Sequence, residues 1–292
     1  MILPYYPGCT LKANALHFEE SAKSAMEQLG ITLQEMKDWV CCGTVFSLTS
    51  DDLMLQLSSI RNLLRAQKQD LSELVVLCSM CYNTLRQSKD FVERDPANLE
   101  KINNFMYMEG AKYEKSVRIS HLLSVLRDRF GLIELTKNVS NPLKSLKIGA
   151  YYGCLLVRPP DYAIDDFEDP TIMEDLIATL GGQPVDYLFK LECCGAYQTL
   201  TKKDISIKRA YEILDSAGKA GCEAIMTSCP LCAYNLDFLQ NEIEQQFMEF
   251  QKLPVFYFTE LISIALNKNW NHNWAAKHAV DPEPLLKEKQ LI

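Results

Sequence analysis

The chain has 292 residues, 48% of them hydrophobic and 23% charged, which fits a globular protein of one large or two smaller domains. Its formal net charge of −8 argues against nucleic acid or an anionic membrane surface as the main partner. No apolar run reaches the length of a spanning helix, and Met1-Ile2-Leu3-Pro4 lacks the basic and apolar regions of a signal peptide, so a cytoplasmic protein without a membrane span is expected.

In chain order, the first feature is Tyr5-Tyr6-Pro7-Gly8-Cys9, followed by a helical segment that Leu29-Gly30 stops. About a dozen residues later comes Val40-Cys41-Cys42-Gly43. Leu53, Leu57, Ile60 and Leu64 then make one apolar helix face. A short strand over Leu74 to Leu77 delivers the chain to Cys78-Ser79-Met80-Cys81-Tyr82-Asn83. The polar stretch Asn138 to Ser145, with Asn141-Pro142, reads as the boundary between two domains, 1–143 and 144–292.

The second half repeats the first. Leu146 to Tyr151 reads as a strand leading into Tyr151-Tyr152-Gly153-Cys154. Asp169-Pro170 carries the signature of a helix start, a capping Asp with Pro at the first helical position, and Gly181-Gly182 stops that helix after Leu180. Glu192-Cys193-Cys194-Gly195 follows, then a helix face of Ile207, Ala210, Tyr211 and Leu214, and a strand over Glu223 to Thr227. Cys229-Pro230-Leu231-Cys232 opens a helix that Leu236, Leu239, Ile243 and Phe247 continue at helical spacing. Val255 to Leu266 reads as buried strand followed by helix. A repeat of domain size, with strand and helix alternating in each half, predicts two similar α/β domains with largely parallel sheets.

Ten of the eleven cysteines thus fall in one pattern written twice. From lone cysteine to pair the gap is 31 residues in one copy and 38 in the other; from pair to C-x-x-C it is 35 and 34. In a reducing compartment such cysteines are metal or redox ligands rather than disulfides. Five thiolates per copy exceed what a tetrahedral zinc ion takes and point to an iron–sulfur cluster. A C-x-x-C at a strand-to-helix junction sits beside unpaired backbone N–H groups and the positive end of the helix dipole, which stabilises thiolates and an anionic cluster. Gly43 and Gly195 behind the pairs allow close backbone approach or positive φ. Carboxyl ends of parallel strands are where such folds build sites, so distant ligands converge within each half.

The other candidates are weaker. Cys222 has no counterpart in the first half and reads as a buried structural thiol. His17, His121, His272 and His278 lack ligand spacing to one another or to a cysteine; His17 and His121 read as structural residues on helices, and His278 as part of a polar tail. No glycine-rich dinucleotide fingerprint, P-loop, nucleophile elbow or ferredoxin-type cysteine run is present, so no flavin or nicotinamide is expected in this chain and its electrons must come from another subunit.

The doubled frame of Cys, Cys-Cys-Gly and Cys-x-x-Cys resembles the cysteine-rich CCG domain, and two complete copies resemble the B subunits of heterodisulfide reductases over essentially the whole chain. The resemblance implies two noncubane 4Fe–4S clusters. Cys9, Cys41, Cys42, Cys78 and Cys81 would hold one, and Cys154, Cys193, Cys194, Cys229 and Cys232 the other. It implies reduction of a disulfide lying between them, of the coenzyme M–coenzyme B type or another thiol/disulfide substrate, with each substrate sulfur meeting one cluster. It also implies a larger complex, in which a ferredoxin-type C subunit delivers electrons from a flavin-containing A subunit. Similar subunits serve bacteria without methanogen coenzymes, in complexes with hydrogenases, formate dehydrogenases, flavin oxidoreductases or methylenetetrahydrofolate reductase, and the tail Lys277 to Pro282 resembles the bacterial type. Two alternatives stand beside this reading. One is an electron-relay CCG subunit of a quinone-linked dehydrogenase (succinate, lactate or glycerol-3-phosphate type); the other is a zinc-stabilised scaffold. The unequal gaps, and Pro230 within the second C-x-x-C against Met80 in the first, predict unequal surroundings for the two cysteine sets.

Overall fold

The computed structural model describes residues 1–44, 52–144 and 146–292. In the first half, strands β1 (Ile2–Tyr6), β2 (Thr32–Glu35), β3 (Glu73–Val76) and β4 (Arg118–His121) alternate with helices α1 (Leu16–Gln28), α2 (Leu57–Gln67), α3 (Ser79–Glu93) and α4 (Pro96–Phe105). Helices α5 (Leu122–Val125) and α6 (Leu132–Asn138) follow β4, joined by a wider π-helical turn. The second half comprises β5 (Lys147–Tyr151), α7 (Ile172–Thr179), β6 (Gln183–Val185), α8 (Lys203–Lys219), β7 (Ala224–Thr227), α9 (Pro230–Phe238), α10 (Gln240–Gln246), β8 (Val255–Tyr257) and α11 (Phe258–Asn267). Two short helices, α12 (His272–Ala275) and α13 (Glu283–Glu288), end the chain.

Each half builds one four-stranded, all-parallel sheet, in the orders β2-β1-β3-β4 and β6-β5-β7-β8. The central strands are buried on both faces, as parallel sheets covered by crossover helices require. Strand order reverses between β1 and β3, and again between β5 and β7, so each sheet has a crevice at the carboxyl ends of its central strands. The expected duplicated, Rossmann-like α/β architecture is present in full.

The halves interlock. Helix α11 is apolar around most of its circumference, with Phe258 to Leu266 all buried, because it is covered by its own sheet and by α1 of the first half. Ser21 on α1 and Thr259 on α11 share a buried hydroxyl hydrogen bond at 2.6 Å, and Phe18 stacks on Tyr257 at 4.1 Å. In the reciprocal position, α6 of the first half packs on α7 of the second. The connecting stretch is tied down as well: Asn141 Nδ2 donates to the carbonyls of Ile264 and Leu291. Ser145, the end of the expected linker, lies outside the described residues.

Three expectations shift. The α7 helix starts at Ile172, not at Asp169-Pro170, because Asp165 caps it: its carboxylate accepts the N–H groups of Thr171 and Ile172. The helix after the second C-x-x-C breaks at Leu239 rather than running to Phe247. There the side-chain amide of Gln240 takes the Leu236 carbonyl at 2.7 Å and clasps Leu253 through both its oxygen and its nitrogen. Phe247 leaves the helix in extended backbone and stacks on Tyr211 at 3.7 Å. Finally, His121 ends β4 instead of lying within a helix.

That position makes His121 a titrating element of the core. Its Nδ1 accepts the Leu123 N–H at 3.2 Å and its Nε2 donates to the Leu77 carbonyl at 2.8 Å, so both nitrogens are satisfied only in the neutral ring. Burial holds its pKa down to about 4. The unfolded ring titrates near 6.5, so between that pH and about 4 the unfolded chain takes a proton the folded one refuses, and stability falls as acid is added across this window. Between pH 7 and 4.5 this one site should cost on the order of 2–3 kcal/mol. Urea unfolding of His121→Gln should therefore lose less stability over that interval than the wild type; equal losses would assign the acid sensitivity elsewhere.

Candidate cysteine-rich redox centre

The lone cysteines Cys9 and Cys154 follow β1 and β5, and the closing cysteines follow β3 and β7, so each crevice gathers its own set. Cys78 and Cys229 are the N-cap residues of α3 and α9, and Cys81 and Cys232 lie one turn along. The strand-to-helix junction anticipated from sequence is thus present in both halves, with thiols at the positive end of a helix.

The pairs are held by matched devices. Tyr6 Oη donates to the Val40 carbonyl at 2.8 Å, and Tyr151 Oη to the Glu192 carbonyl at 2.7 Å, each just ahead of a cysteine pair. Behind them, Gly43 and Gly195 have φ of +87° and +78°, and a Cβ there would press on Ser58 and Ser206 of the following helix. Ser59 Oγ donates to the Cys42 carbonyl at 2.7 Å; Ser206 Oγ donates to the Gly195 carbonyl at 2.8 Å. These contacts fix the backbone of each pair and leave the sulfurs free to face their set.

All eleven cysteines are free thiols. Cys9 Sγ lies 3.8 Å from Cys41 Sγ, and Cys42 Sγ 3.5 Å from Cys81 Sγ; in the second half Cys194 Sγ lies 3.6 Å from Cys232 Sγ. Cys154 and Cys193, and the two thiols of each C-x-x-C, lie near enough to shift one another's protonation. Both sets therefore converge through contacting pairs. They also meet each other where the two C-x-x-C helices begin: Ser79 N donates to the Ser228 carbonyl at 3.3 Å, their hydroxyls bond at 2.5 Å, and Cys78 and Cys229 lie near enough to shift each other's protonation.

Crowding divides the protons among these sulfurs. Hydrogen bonds from Cys41 and then Cys81 hold Cys42 well below an ordinary thiol, and bonds from Cys232 and then Cys78 do the same for Cys229. Cys193 is lowered by Cys154 and then Cys194. Their neighbours stay protonated: Cys81 is pushed up by Cys42 and Cys78, and Cys232 by Cys194 and Cys229. The chemistry of the set fits a metal cluster, which would replace the shared protons with metal ions. A second fit to a cluster is steric. Gly8 and Gly153 precede the lone cysteines with positive φ, and a Cβ on them would lie 3.0 Å from Cys81 Sγ and 3.4 Å from Cys232 Sγ.

The surroundings are unequal, as the sequence departures suggest. Cys9 and Cys41 are exposed, whereas Cys154 and Cys193 are half-buried; the remaining six are buried in both halves. Cys222 takes no part. It is buried behind β5, where a Cβ on Gly149 would lie 2.8 Å from its sulfur, and burial raises its pKa to about 11.

Both C-x-x-C motifs are followed by a Tyr-Asn, ending at Asn83 and Asn235, and the structure separates the two asparagines. Asn235 is three residues past its closing cysteine, and its Nδ2 donates to the Cys194 carbonyl at 2.9 Å. Asn83 is only two past, which turns it about 100° around the helix. Its Nδ2 reaches instead across to the carbonyls of Leu155 and Arg158 in the other half, at 2.8 Å each. Thr84 occupies the place equivalent to Asn235.

Beside the junction of the two sets lies a cavity of about 360 Å³, lined from the first half by Thr10 and His17 and from the second by Pro230, Tyr234, Lys277 and His278. His278, anticipated as part of a polar tail, has its side chain only 2% exposed, with Nε2 3.1 Å from Glu260 Oε1. No spacing rule could have joined His17, Glu260 and His278, which come from α1, α11 and the loop after α12.

A family model described as a cysteine-rich domain, CCG, matches residues 3–86 and 148–237. The 8-methylmenaquinol:fumarate reductase membrane anchor subunit of Wolinella succinogenes is 30% identical over 263 residues, 90% of this chain and 91% of that protein. The B subunit of the ferredoxin:CoB-CoM heterodisulfide reductase of Methanosarcina mazei is 28% identical over 269 residues, 90% and 89% of the two chains. A hypothetical protein from Helicobacter pylori shares the fold, with a TM-score of 0.74 at 13% identity over 95% of this chain, which spans about half (53%) of that structure. Among the described residues no helix is long and apolar enough to cross a membrane. With two matched cysteine-rich halves and relatives similar along nearly its whole length, the chain belongs to the CCG cysteine-rich domain family and is a homologue of the B subunits of heterodisulfide reductases.

Proposed function

We propose that this chain is the disulfide-reducing subunit of a heterodisulfide-reductase-like complex. Its family and relatives support an oxidoreductase, electron-transferring role at the general level. In the specific reading, the halves 1–143 and 144–292 are domains that each hold one noncubane 4Fe–4S cluster. The ligands are Cys9, Cys41, Cys42, Cys78 and Cys81 in one, and Cys154, Cys193, Cys194, Cys229 and Cys232 in the other. The observation that carries this reading is the meeting of the two C-x-x-C helix starts through Ser79 and Ser228, each next to a closing-motif cysteine, beside a cavity that both halves line.

Clusters held by these cysteines would supply single electrons, one set from each half. The overall change is RS–SR′ + 2e⁻ + 2H⁺ → RSH + R′SH, so a disulfide needs two electrons at one place, which paired sites provide. The chain's own residues contribute the rest. Helices α3 and α9 aim their positive ends at the sulfurs and favour the anionic state of the site. The buried C-x-x-C thiols keep water from the junction, and the cavity of about 360 Å³ has the size of a small-molecule site. Lys277 at its wall offers a positive charge to an anionic substrate. Electrons would arrive from a ferredoxin-type partner fed by a flavin subunit, since the sequence carries no flavin or nicotinamide motif.

One observation favours a second reading. The Wolinella succinogenes relative, 30% identical over nine-tenths of the chain, is named as part of a menaquinol-linked reductase, which fits an electron relay in a quinone-linked dehydrogenase. Anaerobic protein assayed for iron, acid-labile sulfide and oxidation of reduced viologen separates the two. About eight irons and eight sulfides, with viologen oxidation that depends on an added disulfide, is the expected result. About four irons, or full clusters that turn over with a quinone and ignore every disulfide, would move the relay reading ahead.

A further inference from the structure

We propose that His17, Glu260 and His278 bind one divalent cation of the zinc class at the wall of the cavity between the halves, apart from the cysteine sets. One ring nitrogen of each histidine and a carboxylate oxygen of Glu260 lie within 4.8 Å of one another, close enough for small side-chain movements to bring all three onto a single ion. The three side chains are all but sealed from solvent: His17 is 5% exposed as a residue, and the side chains of His278 and Glu260 are 2% and 0% exposed.

The hydrogen bonds leave one ligand atom unused and set the other two against each other. His17 Nδ1 is buried with no hydrogen-bond partner. In His278, Nε2 faces Glu260 Oε1 at 3.1 Å. The other carboxylate oxygen of Glu260 is already taken by the Tyr257 N–H at 2.8 Å. His278 Nε2 and Glu260 Oε1 stay this close only with a proton or a cation between them, and a divalent ion would take that proton's place. A separation of 3.1 Å matches two ligands of a tetrahedral ion at bond lengths of about 2.0–2.1 Å.

The supports are those of a metal site. Asp237, 3% exposed, accepts the N–H groups of Ala279 and Val280 at 2.8 and 3.0 Å, which fixes the loop carrying His278, and its Oδ2 lies 3.9 Å from His278 Nδ1. The charged groups facing the site are the carboxylates of Glu260 and Asp237, with Glu20 and the exposed Lys277 further out. Two imidazoles and one carboxylate make a common zinc donor set that leaves a fourth position open. That position faces the cavity, because His17 and His278 both line it.

Zinc K-edge absorption of the cluster-loaded chain tests the site without any assay of turnover. The protein is stripped with chelating resin, given one equivalent of zinc anaerobically and desalted. The expected spectrum shows nitrogen and oxygen neighbours at about 2.0–2.1 Å and no sulfur. His17→Ala and His278→Ala should each weaken zinc retention by more than about tenfold, since even outer-shell losses cost that much, while iron content stays at the wild-type level. Loss of zinc on desalting the wild type, or sulfur neighbours at about 2.3 Å, would overturn the proposal. If the alanine variants do not fold, the wild-type spectrum decides alone, with Glu260→Gln as the shape-preserving variant.

Discussion

Cys194→Ala is expected to lose the second cluster and, with it, all disulfide reduction, dropping the chain from about eight irons to about four. Cys194 is 2% exposed, with its sulfur 3.6 Å from that of Cys232. Its backbone is held independently of the sulfur, because Asn235 Nδ2 donates to its carbonyl at 2.9 Å and Ser206 Oγ holds the next residue's carbonyl at 2.8 Å. Removing one sulfur atom from such a place leaves a small void and costs about 1 kcal/mol of stability, too little to unfold a domain. Iron loss in a folded variant would therefore report a missing ligand. No spare thiol stands ready, since Cys222 is packed behind β5 against Gly149. Cys222→Ala should accordingly keep both iron and activity. Iron analysis and disulfide-dependent viologen oxidation on the two variants check both statements. A Cys194→Ala protein with full iron and full activity would strike that residue from the ligand set.

The part of this site that was legible in the sequence is the part built from local rules written twice. A strand that ends at a lone cysteine, a Cys-Cys-Gly with positive φ at glycine, and a C-x-x-C at a helix N-terminus each need only a few neighbouring residues, and both copies repeat them. The same locality explains the misreadings. Asp169-Pro170 has the composition of a helix start, yet Asp165 wins because a loop returns its carboxylate to the N–H groups of Thr171 and Ile172. Asn83 and Asn235 look alike in a string of letters, but one residue of offset sends the first across the molecule and the second back to its own cysteine pair. The meeting of the two C-x-x-C helix starts, and the gathering of His17, Glu260 and His278, depend on how α1 and α11 pack between halves. Periodicity says that those faces are apolar; it does not say which faces meet.

The glycine ahead of each lone cysteine gives the sharpest graded test of the paired architecture. Gly8→Ala should abolish the first cluster and spare the second. Gly8 sits at φ +74°, where an L side chain costs roughly 1–2 kcal/mol, and its new Cβ would lie 3.0 Å from Cys81 Sγ. That distance is well inside van der Waals contact for carbon and sulfur, so either the sulfur or the β1–Cys9 turn must move. Cys81 is buried on α3 with its sulfur 3.5 Å from Cys42, which leaves it little room to yield. Displacement thus falls on Cys9, the ligand that Gly8 directly precedes. Gly153→Ala is the milder counterpart. Its φ is +61°, and its Cβ would meet Cys232 Sγ at 3.4 Å and the Tyr151 ring at 3.3 Å, contacts that a few tenths of an ångström relieve. The expected order is wild type, then Gly153→Ala with most of its iron, then Gly8→Ala with about four irons and a melting temperature lowered by several degrees. Full iron in Gly8→Ala would mean that Cys9 and Cys81 do not share one cluster. An equal loss in both variants would mean that backbone strain at positive φ, rather than space beside the closing cysteine, is what the glycines are there to avoid.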